Sequence, residues 1–139
     1  MLRIINLLNQ KNHYLEKFYT LNETELLNFS KANFDNLENF YQTREKLLEI
    51  IRYLDSEIDA CQSEAAVAVT AELRRDMKEA LAIKDEYVNR ILAQDLEVLS
   101  CIEVEKSNII KELQEIRNNK KAISSYKSPT FTKRLDEEV

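Results

Sequence analysis

An all-α fold is what this sequence predicts, on three observations. The 139 residues contain no glycine, a single proline held back to position 129, and apolar side chains that recur every three or four positions through the first 125. Tight hairpins draw on Gly and Pro, so a chain without them is poorly supplied for a sheet. A repeat of three and four is the mark of one face of a helix. The expectation is one domain over residues 1–125, an antiparallel bundle of three to four long helices with an extended C-terminal helix, and a flexible tail at 126–139. A chain of this length has room for one modest core.

The first helix is expected from Leu2 to Lys31. Ile5, Leu8, Leu15, Tyr19, Leu26 and Phe29 share one seven-residue stripe, and Ile4, Leu7, Tyr14, Phe18 and Leu21 lie beside it. Together they make a wide face that must be buried. In the polar SKANFDN that follows, Asn33 and Asp35 are candidates to cap the next helix. That helix carries two rows, Phe40, Leu47, Leu54 and Cys61 in one and Leu37, Arg44, Ile51 and Ile58 in the other. Steps of four and three define a seam like that of a coiled coil.

The pattern lapses in ACQSEAAVAVTA, which places a break around Ser63 to Thr70. A short third helix is expected next, carrying Leu73, Met77, Ala80 and Leu81. The longest helix then runs from Asp85 to Ser125. Its seam reads Val88, Leu92, Asp95, Leu99, Ile102, Lys106, Ile109, Leu113, Ile116, Lys120 and Ile123, widened early by Tyr87, Ile91 and Val98. Past Ile110 the neighbours are Lys, Glu, Arg and Asn, so the stripe narrows and its own chain covers it less completely. Ser124, Ser125 and Pro129 end the helix. Tyr126 and Phe131 then stand in a polar segment, either as anchors for a partner or as a mask over Ile116 and Ile123.

Arg44 and Asp95 put opposite charges on seam positions. A charge facing a core is costly unless paired, so either the two form an ion pair that fixes the register of the bundle or each reaches solvent by itself. The remaining charge is uneven. Residues 1–116 hold 14 Lys/Arg against 22 Asp/Glu, whereas Arg117 to Arg134 hold six basic residues and no acidic one. An acidic body repels phosphates, which argues against nucleic acid as a partner. The basic stretch suits the end of a helix, and it also offers a contact for an acidic partner.

Chemistry has little to stand on. The one histidine, His13 in KNHYLEK, cannot supply a carboxylate-bridged di-metal site, which takes a Glu-x-x-His from each of two helices. It is read as a polar residue at the boundary of the buried face, with an exposed phosphorelay histidine as the sharper alternative. No Gly-rich phosphate loop exists without Gly. Neither a catalytic role nor a cofactor is expected. Cys61 and Cys101 lack metal-ligand spacing and are expected as reduced core thiols. No run reaches the roughly 18 apolar residues of a membrane span, and MLRIINLLNQ is too short for a secretory signal, so the expected location is the cytoplasm.

Three segments resemble the FlgN/FliT-type flagellar export chaperones of bacteria. They are LENFYQTREKLLEIIRYLDSEID, with Arg44 and Glu45 ahead of an apolar run; ILAQDLEVLSCIEVEKSNIIKELQEIRNNKKAISSYK, with Asp95 early and Tyr126 at its close; and PTFTKRLDEEV, with Phe131 and Asp136 near the terminus. The resemblance covers nearly the whole chain, in pattern more than in identity. It implies a small acidic helical chaperone whose clients are the hook-associated proteins or the filament cap protein, bound through helical C-terminal segments. It also implies delivery to the export ATPase complex and the export gate. Beside it, the residues themselves place a client helix against Ile109, Leu113, Ile116 and Ile123, with Tyr126 and Phe131 at hand. The rival expectation is a structural homodimeric coiled coil, in which a second copy covers that stripe.

Overall fold

The computed structural model describes residues 2–62 and 70–125. Three α-helices and no strand occur among them: α1 (Leu2–Ser30), α2 (Leu37–Gln62) and α3 (Ala71–Ser125). The chain divides into two compact units, Met1–Leu99 and Ser100–Val139.

In the first unit α1 and α2 pair in opposite directions. Ile4 and Leu8 meet Ile58 and Cys61, whereas Leu15 and Phe18, further along α1, meet Ile51, earlier on α2. Arg3 to Glu57 at 3.0 Å and Lys11 to Asp55 at 2.6 Å pair the outer faces of the same two helices. The first part of α3 completes both clusters, with Ala80 and Met77 in one and Ile91, Tyr87 and Val88 in the other. Phe40 has no exposed surface. Burying an aromatic side chain of that size contributes on the order of 2–3 kcal/mol.

Every member of the two α2 rows read from the sequence is buried or half-buried, Arg44 included. The turn between α1 and α2 solves a problem peculiar to a glycine-free chain. Asn33 N–H donates to the Asn28 carbonyl at 2.9 Å and Ala32 N–H to the Phe29 carbonyl at 2.9 Å, the paired bonds of a Schellman cap. That cap needs a left-handed residue, and Ala32 takes the place at φ 56°. The N-cap of α2 is Asn36, not Asn33 or Asp35. Asn36 directly precedes Leu37 and its carbonyl accepts from Phe40 N–H at 2.9 Å. The Asn33 side chain instead accepts from Asp35 N–H at 3.0 Å.

Two expectations for the last third are corrected. The third and fourth helices are one helix, because LAIKDEYV contains nothing that breaks a helix and α3 runs through it. The break at Ser63 to Thr70 lies outside the described residues except for Thr70, whose Oγ1 accepts from Leu73 N–H at 3.1 Å and caps α3. The second correction concerns the rotation of α3. Leu92 and Leu99, expected on the seam, are exposed, and the buried residues are Ala80, Ile91, Gln94 and Val98. Polar bonds decide this. Gln94 Nε2 donates to the Tyr19 carbonyl at 3.2 Å and to Glu23 Oε1 at 2.7 Å, contacts that a helix turned to bury Leu92 would lose.

Candidate functional site

Arg44 and Asp95 come together in the first unit. Arg44 Nη2 donates to Asp95 Oδ1 at 2.9 Å, with both side chains half-buried. The guanidinium carbon stands 5.1 Å from the Phe18 ring centre and 5.7 Å from that of Phe40. Asn22, fully buried, donates through Nδ2 to the same carboxylate oxygen at 3.3 Å and to Gln94 Oε1 at 3.2 Å. The pair therefore sits in a polar layer that ties all three helices together. Each bond needs one relative rotation of the helices, so the layer selects a register.

Asn12, Asn22, Glu25 and Gln94 are buried polar residues that apolar periodicity cannot reveal. Asn12 Nδ2 donates to the Ala80 carbonyl at 3.0 Å, and Glu25 Oε2 accepts from Asn36 Nδ2 at 3.1 Å. A signal was nonetheless present for three of them, because Asn12 shares its heptad row with Ile5, Tyr19 and Leu26, Asn22 with Leu8, Leu15 and Phe29, and Gln94 with Leu73, Ala80 and Tyr87, whereas the row of Glu25 also holds Lys11.

His13 is exposed, its ring edge-on to Tyr14 at 5.5 Å, at an open groove of about 650 Å³ between α1 and α2. Lys17, Thr20, Leu21, Thr43 and Leu47 also line that groove. Among the described residues no three His, Cys, Asp or Glu side chains gather to hold a metal ion. Cys61 is buried, Cys101 is half-buried, and both are free thiols. No described helix is long and apolar enough to cross a membrane.

The second unit presents the residues singled out for partner binding. Ile109 is 48% exposed, Leu113 55%, Ile116 51% and Ile123 53%. Steps of four, three and seven residues join them on one face, and Ile110, also exposed, widens it. Tyr126 and Phe131 lie outside the described residues. In the first unit a separate trio is exposed, Leu92, Leu96 and Leu99, which share one face at steps of four and three. Single exposed leucines are ordinary, but contiguous apolar faces are characteristic of surfaces that meet another molecule. Heptad spacing of this kind suits a helical cover.

No family model, curated protein or solved structure matches the chain.

Proposed function

We infer that this protein is a cytoplasmic flagellar export chaperone of the FlgN/FliT type. The reading takes residues 1–125 as an antiparallel helical bundle with an extended last helix. One observation carries it: a heptad-spaced apolar face, Ile109, Leu113, Ile116 and Ile123, stands exposed on a stretch of α3 whose other residues past Ile110 are mostly Lys, Glu, Arg and Asn. The three segments that resemble the family supply the biological setting.

The mechanism is helix-in-groove docking. The helical C-terminal segment of a hook-associated protein or of the filament cap protein lays its apolar face along this stripe. Water leaves both faces, and each buried Å² of apolar surface contributes about 25 cal/mol. The same contact withholds the client surface that would polymerise too early. Release at the export ATPase complex and gate requires a modest interface, since obligate interfaces run to roughly 2,000 Å² and above.

Isothermal titration of the full chain with C-terminal segments of those clients tests the reading. Saturable one-to-one binding is expected, lost in the double variant Ile116→Asp, Ile123→Asp. Absence of heat with every segment overturns the chaperone assignment.

A further inference from the structure

The charges that border the exposed face of the second unit say more about its partner than the apolar residues do. Lys106, Leu113 and Lys120 form one row of the face and Ile102, Ile109 and Ile116 the other. In a parallel pair of identical helices each position meets itself, which sets Lys106 against Lys106 and Lys120 against Lys120. In an antiparallel pair the rows exchange, so each residue of one row meets a residue of the other. With Leu113 opposite Ile109 of the second copy, Lys106 faces Ile116 and Lys120 faces Ile102. The lysine stems then lie on apolar side chains while their ammonium groups reach water.

The flanking positions agree with that register. Glu103 and Arg117 occupy equivalent flanks fourteen residues apart. In the antiparallel pair they meet twice, Glu103 of each copy beside Arg117 of the other. Charges at these flanks choose partner and orientation in paired helices. One unfavourable contact accompanies them, since Glu112 meets its own copy near the twofold axis. We propose that, when no client occupies it, this face is covered by a second copy of the chain in antiparallel register, centred between Ile109 and Leu113. The masking role rests on the chaperone reading above, whereas the dimer does not. A client would then bind by displacing the second copy.

Sedimentation equilibrium of the full chain over a wide concentration range tests the register by charge exchange. Arg117→Glu should raise the dimer dissociation constant roughly tenfold, because two attractions become two repulsions. Adding Glu103→Arg should restore it, and Glu112→Gln alone should tighten the dimer. A parallel dimer reverses the last two outcomes, since there Arg117 pairs with Glu112. Then Glu112→Gln loosens the dimer, Glu112→Arg rescues Arg117→Glu, and the proposal fails. A chain that stays monomeric at every concentration also overturns it. Titration with client segments separates the two ideas: a monomer that binds a segment keeps the chaperone and loses the dimer, and a dimer that binds none does the reverse.

Discussion

Two stretches of α3 are built from the same materials and meet different surroundings. In the first unit Ile91 and Val98 stand seven residues apart and are 8% and 3% exposed. In the second, Ile109 and Ile116 stand seven apart and about half of each is open to water. Composition, spacing and backbone are alike, so none of them sets burial. Ile91 has Leu15 and Phe18 of α1 and Ile51 of α2 across from it, and bonds from Gln94 and Asp95 hold that stretch of the helix in rotation. A heptad pattern states that a face suits a helical cover, without stating which chain supplies it.

The sharpest test places one charge in each stretch. Val98→Asp buries a carboxylate with no partner, and a loss of about 4 kcal/mol is expected, a large part of the whole stability of a domain this size. Ile116→Asp changes a position half open to water and, at concentrations where the chain is monomeric, should move stability by less than about 0.5 kcal/mol. Urea titrations followed by circular dichroism read both. Equal losses would erase the distinction between the two stretches.

Much of the first unit was legible in the sequence, and the reasons it was not fully legible are specific. The rows of α2 land inside because eight positions in strict alternation leave one workable face. The core face of α1 was read only in part, since Asn12, Asn22 and Glu25 carry no hydrophobic signal although they point inward. The rotation of α3 differs by one position because Gln94 must reach the Tyr19 carbonyl, a constraint that appears only once α1 lies alongside. The join at Ala82 to Lys84 was missed through the opposite error. Separate helices were expected on either side of it, although no residue there disfavours helix. In the second unit the apolar face was visible in the sequence from its spacing, and that spacing by itself does not name what covers the face.

A smaller effect isolates the polar layer that fixes the covered stretch. Arg44 and Asp95 are each half-buried, so their attraction is screened less than at a surface and desolvated less than in a core. A double-mutant cycle with Arg44→Ala and Asp95→Ala should give a coupling of about 1–2 kcal/mol. Arg44→Ala alone should cost more than Asp95→Ala, because it also removes the guanidinium from the faces of Phe18 and Phe40. A coupling near zero would mean that Asn22 and Gln94 hold the register without the ion pair.

The smallest expected effect acts on the first unit alone. Ala32 sits at φ 56°, where its Cβ crowds the following carbonyl, a conformation that costs an ordinary residue roughly 1–2 kcal/mol and glycine almost nothing. Glycine also carries more entropy in the unfolded chain, which returns part of that gain. Ala32→Gly should therefore stabilise the protein by about 0.5–1 kcal/mol while leaving self-association unchanged, because the cap joins α1 to α2 within the first unit and the exposed face of Ile109, Leu113, Ile116 and Ile123 belongs to the second. A loss of stability would mean that the turn holds its shape through the Asn33 side chain and the Asn36 to Glu25 bond, with chain stiffness at position 32 outweighing the relief of strain.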